Sequence, residues 1–207
     1  ELYDIEGSDK MQILKLLTRL RQLCLEPRLV YDNIDQPSSK LKACMELIKT
    51  MQENKQKVLL FSSFTSVLDL IAEECQKAGI TYYMLTGSTN KEDRRELVSR
   101  FQKDDTTLFL ISLKAGGTGL NLTSAEAVIH FDPWWNVSAQ NQATDRAYRI
   151  GQKNNVQVFN LVMKDSVEEK IIELQKRKKE LADMFVENNS GGLSQMSKED
   201  ILSLFTM

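Results

Sequence analysis

The 207 residues are 42% hydrophobic and 27% charged, the composition of a soluble globular protein with one ordinary domain and trailing elements, or one large domain. No apolar run approaches the roughly 18 residues that cross a bilayer, and the start, ELYDIEGSDK, lacks the basic-then-apolar pattern of a signal peptide. A net charge of −2 and a pI of about 5.6 exclude a basic field over the whole molecule, so any nucleic-acid contact must come from a local cluster.

In chain order, MQILKLLTRLRQLC (11–24) carries Ile13, Leu16, Leu17, Leu20 and Leu23 at helical spacing, and Pro27 stops that helix. After the turn-rich YDNIDQPSSK, a second helix is expected from Ser39 to Glu53. KVLLFSS (57–63) is a short apolar, partly β-branched run that reads as a buried strand. A helical pattern over 65–78 ends at Gly79, a natural C-cap residue. TYYMLTG (81–87) is a second strand running into a turn. TNKEDRRELVSRF (89–101) is a helix in which Thr89 and Glu92 form a capping-box pattern.

TLFLIS (107–112) is a continuous apolar strand leading into the glycine-rich KAGGTGLNLTS, and AVIHF (127–131) is another, closed by Asp132-Pro133. A helix follows, and VQVFNLV (156–162) is the last strand. Strands alternating with helices at these lengths predict a parallel sheet covered by helices on both faces, which is why the strands are near-continuous apolar runs. VEEKIIELQKRKKELADMF (167–185) is a long helix with Ile171, Leu174, Leu181 and Phe185 along one side. Asn188 to Gly192 form a linker, and Ser197 and Asp200 cap a short amphipathic helix ending in Phe205. KRKK (176–179) reads as a solvated helix face, with a nuclear-import or DNA-binding role as the alternative. Cys24, Cys44 and Cys75 lie far apart and the chain holds one histidine, so they read as buried, reduced thiols of a cytosolic or nuclear protein and not as a zinc site. Lacking an initiating methionine, the chain reads as a piece of a longer protein.

In an open parallel sheet, ligands gather at the carboxyl ends of the strands. Three polar segments are expected there: Ser62-Ser63, Thr86-Gly87-Ser88 and SLKAGGTGLN (112–121). The last places three glycines in four positions, which lets backbone amides approach a phosphate or sugar closely; the bland alternative is a tight turn with no ligand. The spacing fits neither a Walker A loop nor a dinucleotide fingerprint. In QNQATDRAYRIGQ (140–152), Gln142, Arg146 and Arg149 are spaced by four and three and share one helix face. Guanidinium groups stay charged and present a planar fork of donors that suits phosphoryl oxygens. The same spacing also allows a structural role, with Arg146 paired to Asp145 or Asp132.

DRAYRIGQ, preceded by LKAGGTGLNLTSAEAVIHFDPWWN, resembles motifs V and VI of the Swi/Snf-type ATPases, the chromatin-remodelling branch of superfamily two helicases. VLLFSSF resembles that family's motif IV, and LTGSTNKEDRRELVSRF its next block, with Arg94 and Phe101 at matching positions. LRQLCLEPRL and DSVEEKI match the segments that flank the lobe. The resemblance implies the second of two RecA-like lobes of an ATP-driven double-stranded DNA translocase, built as a parallel sheet with helices on both faces plus a C-terminal brace helix and a short terminal helix. Residues 1–37 would be a helical lead-in from the first lobe, 38–165 the lobe itself and 166–207 the brace. ATP would bind between the lobes, with Mg2+ held by the first lobe and no metal ligand here. Arg146 and Arg149 would reach the phosphates, Arg149 as the finger, and Gly117, Gly119, Asn121 and Gln142 would border the nucleotide. Ser62, Ser63, Gly87, Ser112, Lys114 and Thr118 would contact the DNA backbone.

Val137 stands where the family usually has proline, Tyr148 replaces a frequent histidine, and Asp165-Ser166 replaces a common Gly-Thr whose capping role Ser166 can keep. Trp134-Trp135 reads as packing in preference to a base-stacking platform, and His130 as structural. The implied partners are duplex DNA, the first lobe and a DNA-bound protein substrate, with no membrane. The compact lobe points to a bacterial member working in the cytoplasm; a eukaryotic one would work in the nucleus. Two competing readings are a non-catalytic helicase-like scaffold that binds DNA or a partner protein, and an RNA helicase lobe.

Overall fold

Five apolar runs become five parallel strands: β1 (Val58–Ser62), β2 (Tyr82–Leu85), β3 (Leu108–Ser112), β4 (Ala127–His130) and β5 (Gln157–Asn160), ordered β2-β3-β1-β4-β5. The computed structural model describes residues 7–116, 120–134, 141 and 156–187. Around the sheet lie α1 (Gly7–Leu25), α2 (Ser39–Glu53), α3 (Thr65–Lys77), α4 (Lys91–Lys103), the single turn α5 (Leu113–Gly116) and the long α6 (Val167–Glu187). A short 3-10 turn, Pro27–Leu29, follows α1.

The pleat explains why the central strands need apolar residues at every position. Val58 and Leu60 of β1, Leu108 and Leu110 of β3, and Ala127 and Ile129 of β4 join one core with α2 and α3. Their neighbours Leu59, Phe61, Phe109, Ile111 and Val128 join a second core with Phe101 of α4. Successive side chains of a strand point to opposite faces, so a sheet covered on both sides has no polar face. Each such side chain fully removed from water contributes about 1.5–3 kcal/mol. The register is tight across the middle: Val58 aligns with Leu108 on one side and Ala127 on the other.

The expectation of strands buried on both sides holds for β1, β3 and β4 and fails at the edges. In β5, Gln157, Val158 and Asn160 are exposed, because nothing among the described residues pairs with its outer side. Helix α1 forms as expected, yet Leu16 and Leu20 lie 62% and 48% exposed and contribute nothing to the core. The start of α4 also differs from expectation. Asn90 is the N-cap, accepting from the backbone N–H of Glu92 and Asp93, while the Thr89 hydroxyl accepts from Thr86 N–H and ties the preceding turn. Ser166 caps α6 as expected, accepting from Glu168 N–H, and at the start of α2 Ser38 accepts from Leu41 N–H. Gly79 adopts φ +69 just beyond the end of α3, the left-handed conformation that its lack of a Cβ permits.

Helix α6 is pinned by an ion pair between groups 128 positions apart. Lys40 Nζ donates to both carboxylate oxygens of Glu168 at 2.6 and 2.7 Å, and Met163 N–H donates to the same carboxylate at 2.7 Å. Both side chains are buried, and Lys40 also lies 5.3 Å from the Phe131 ring centroid. The 176–179 run on α6 is exposed, and Arg177 pairs with Glu173 in the same helix. Cys44 and Cys75 are buried free thiols as expected, whereas Cys24 is only half-buried. The linker and terminal helix expected beyond residue 187, and the side chains of Leu181 and Phe185, lie outside the described residues.

Candidate functional site

The carboxyl ends of β1 and β4 meet in a knot of polar groups around Asp132. Ser62 Oγ donates to Asp132 Oδ1 at 2.7 Å, and Ser63 N–H donates to the same oxygen at 3.0 Å. The Ser63 hydroxyl donates to Oδ2, which also accepts from Arg21 Nη2 at 3.0 Å. The Asp132 carboxylate is 1% exposed, so this saturation by donors is what makes its burial tolerable.

Ser62, expected at the DNA, is fully buried and directed at Asp132, so its hydroxyl supports the surface from beneath. Ser63 reaches the surface. It lines an open groove of about 620 Å³ together with Thr65, Asp69, Met84, Thr86, Gly87, Ser88, Ser112 and Lys114. The ends of β1, β2 and β3 thus bring four of the six expected DNA-contact residues to one groove, where Ser63, Gly87 and Lys114 reach solvent and Ser112 is a buried wall residue. Thr118 lies outside the described residues. The groove is mainly hydroxyl-lined: Thr86 and Ser88 are hydrogen-bonded to each other at 2.8 Å, and Ser112 Oγ accepts from Ala115 N–H. Lys114 is its exposed cation and Asp69 its carboxylate.

Beside α4, a recess of about 610 Å³ is lined by Thr89, Lys91, Arg94, Arg95, Val98, Leu120 and Asn121. Arg94 Nη1 donates to Ala115 O at 2.9 Å, so α4 holds the turn that leads into the glycines. The backbone of the far side is held as well: Gln102 Nε2 donates to Asn121 O at 2.7 Å, and Gln102 Oε1 accepts from Ser124 N–H at 3.0 Å. The exposed Asn121 amide, with Lys91 and Arg95 beside it, is a donor set that fits phosphoryl or ribose oxygens. Of the expected nucleotide residues, Gly117, Gly119, Gln142, Arg146 and Arg149 lie outside the described residues, as do Trp135, Val137 and Tyr148. No group of three or more His, Cys, Asp or Glu comes together among the described residues to hold a metal ion.

Residues 39–151, more than half of the chain, match the family model described as Helicase conserved C-terminal domain. The chain belongs to that family. The solved Sulfolobus solfataricus SWI2/SNF2 ATPase C-terminal domain superposes with a TM-score of 0.70 at 28% identity, covering 97% of this chain and 83% of that one. An uncharacterised ATP-dependent helicase of Mycoplasma pneumoniae is 37% identical over 206 residues, 99% of this chain and 20% of that protein. The ISWI chromatin-remodeling complex ATPase ISW1 of Saccharomyces cerevisiae is 34% identical over 213 residues, 94% of this chain and 19% of its own length. The chain therefore spans about a fifth of the length of these curated relatives. Within the family it is a Swi/Snf-type second RecA-like lobe, and the parallel five-stranded sheet is the fold that this identity requires.

Two features of the lobe escaped the sequence reading. Arg21 was visible only as a basic residue in an apolar helix, because its partners lie 42 and 111 positions away. Lys40 and Glu168 sit in patterns that suggest ordinary solvated helix faces, and only the fold buries them together. His130, read as structural, is 2% exposed and stacks on Phe61 at 5.7 Å; burial pushes its pKa down to about 4. Trp134 packs against the second core, and its carbonyl accepts from Gln175 of α6.

Proposed function

We propose that this lobe is the second half of an ATP-dependent double-stranded DNA translocase, supplying an arginine finger and contacts to the DNA backbone. The observation that carries the reading is the convergence of Ser63, Gly87, Ser112 and Lys114, from three separate strand ends, on one groove. Hydroxyls, a glycine and a lysine suit phosphate oxygens, and contacts to the backbone alone would let the enzyme move along DNA without reading sequence. Asn121, with Gly117, Gly119 and Gln142, borders the nucleotide, and Arg146 and Arg149 reach its phosphates. ATP supplies the phosphoryl group, and the Mg2+ that accompanies it belongs to the first lobe. Opening and closing of the two lobes shifts the groove along the duplex in small steps. Residues 1–37 lead in from the first lobe and 166–207 brace the second. The work is done in the cytoplasm of a bacterial cell, or in the nucleus of a eukaryotic one, on a DNA-bound protein substrate.

The test compares ATP hydrolysis by the full-length protein and by this chain alone, each with duplex DNA and with RNA. The reading expects turnover only in the full-length protein and stimulation only by duplex DNA. Robust DNA-stimulated hydrolysis by this chain alone would show that the site is not shared. Stimulation by RNA in preference to duplex DNA would make it an RNA helicase lobe, and a full-length protein that binds DNA without hydrolysing ATP would make it a scaffold.

A further inference from the structure

We propose that Arg21 is a positioning residue that ties the lead-in helix α1 to the DNA-contact groove, so that the segment arriving from the first lobe sets the placement of Ser63. The proposal rests on the DNA reading of that groove and adds the device that couples it to the chain upstream.

Three contacts converge on one guanidinium nitrogen. Arg21 Nη2 donates to Ser63 Oγ at 2.9 Å, to Asp132 Oδ2 at 3.0 Å and to the carbonyl of Pro133 at 3.2 Å. The guanidinium carbon lies 5.0 Å from the centre of the Phe64 ring, so the group is held by that aromatic neighbour as well as by its acceptors. The Arg21 side chain is 11% exposed while its helix neighbours Leu16 and Leu20 are largely in solvent. The end of α1 is thus anchored at the carboxyl ends of β1 and β4 through a polar contact, beside the buried Leu25 that joins the first core.

The acceptors show what the anchor does. Ser63 lines the groove, and Asp132 holds both Ser63 and the buried Ser62. Pro133 opens the segment that leads toward Gln142, Arg146 and Arg149. One side chain therefore fixes a groove residue, its supporting carboxylate and the backbone of Pro133. A displacement of α1 cannot leave these contacts unchanged, because a planar guanidinium meets its acceptors in a fixed geometry. Lysine keeps the charge, but its Nζ sits one bond closer to the backbone than Nη2 and it lacks the planar group over Phe64, so it reproduces only part of the set of contacts.

The experiment uses the full-length protein and measures the duplex DNA concentration that half-saturates ATPase stimulation, with kcat, the KM for ATP and the melting temperature. Arg21→Ala is expected to raise the half-saturating DNA concentration by about tenfold, the loss expected of one charge-assisted hydrogen bond. The KM for ATP should stay within about twofold, and Arg21→Lys should recover part of the DNA affinity. Lys114→Glu serves as the control for the groove itself and should also weaken DNA. If Lys114→Glu weakens DNA and Arg21→Ala does not, the positioning role falls while the groove stands. If neither substitution moves the DNA dependence, the DNA reading falls and the positioning role with it. If Arg21→Ala and Arg21→Lys lower the melting temperature and every kinetic constant in parallel, Arg21 only holds the fold and the proposal is overturned.

Discussion

Removing one member of the Lys40–Glu168 pair should destabilise the chain far more than removing both, with opposite pH signatures for the two single variants. At 2.7 Å and an effective dielectric of about 20, the gross attraction is about 6 kcal/mol. Desolvation of two ions costs several kcal/mol each, so the intact pair contributes little net stability. An orphaned member is another matter, since a buried charge escapes most cheaply by neutralising. At pH 7, protonating an orphaned Glu168 in Lys40→Met costs about 3.7 kcal/mol, from a reference pKa of about 4.3. Deprotonating an orphaned Lys40 in Glu168→Gln costs about 4.6 kcal/mol, from a reference pKa of about 10.4. These are ceilings for the respective variants. Urea unfolding followed by far-UV circular dichroism should show the Lys40→Met deficit shrinking as pH falls toward 5 and the Glu168→Gln deficit shrinking as pH rises toward 9. The double variant should be no less stable than either single one. Costs that add in the double variant, or that ignore pH, would refute the buried-pair reasoning.

Three further outcomes follow from single side chains. The folded state holds His130 neutral down to about pH 4, while the unfolded chain takes up its proton below the ordinary value of 6.5. Stability from this group is therefore lost as pH falls from 6.5 to 4, by at most about 3 kcal/mol. His130→Phe should gain on the parent by that amount between pH 7 and 4 in urea titrations, and parallel curves would contradict it. Asn90→Ala should cost about 1 kcal/mol and Asn90→Gly only a few tenths, measured by thermal unfolding. Equal costs would mean that Asn90 does not cap α4. Burial pushes the Cys44 thiol well above the usual range and Cys75 up to about 12, so in the folded chain Cys24 should react with iodoacetamide well before either. Peptide mass mapping of the alkylated protein checks that order.

What the sequence made legible followed from local chemistry. Ser39–Glu53 could be bounded because the turn-rich YDNIDQPSSK ends in a pair of serines, residues that favour a helix start, and Ser38 is the one that caps it. At α4 two candidates sat side by side, and the Thr89–Glu92 pattern matched a capping box while the neighbouring Asn90 made the bonds. The central strands declared themselves by unbroken apolar runs; β5 looked similar, but its place at the sheet edge, which no local pattern encodes, left it exposed. In the groove, the serine pair at the end of β1 was recognisable, yet the strand's alternation decides which hydroxyl faces out: Ser62 turns in to Asp132 and Ser63 reaches the surface. Arg21 and Lys40 were beyond reach because the groups that give them meaning are brought in by tertiary structure from distant positions.

The most direct measurement is single-turnover ATP hydrolysis by the full-length protein carrying Arg149→Ala, with nucleotide binding measured on the same sample. The account predicts a fall in turnover of about 10³-fold or more with ATP binding largely kept, because a finger acts on charge that develops only in the transition state. Unchanged hydrolysis would contradict it, and so would loss of folding in place of turnover.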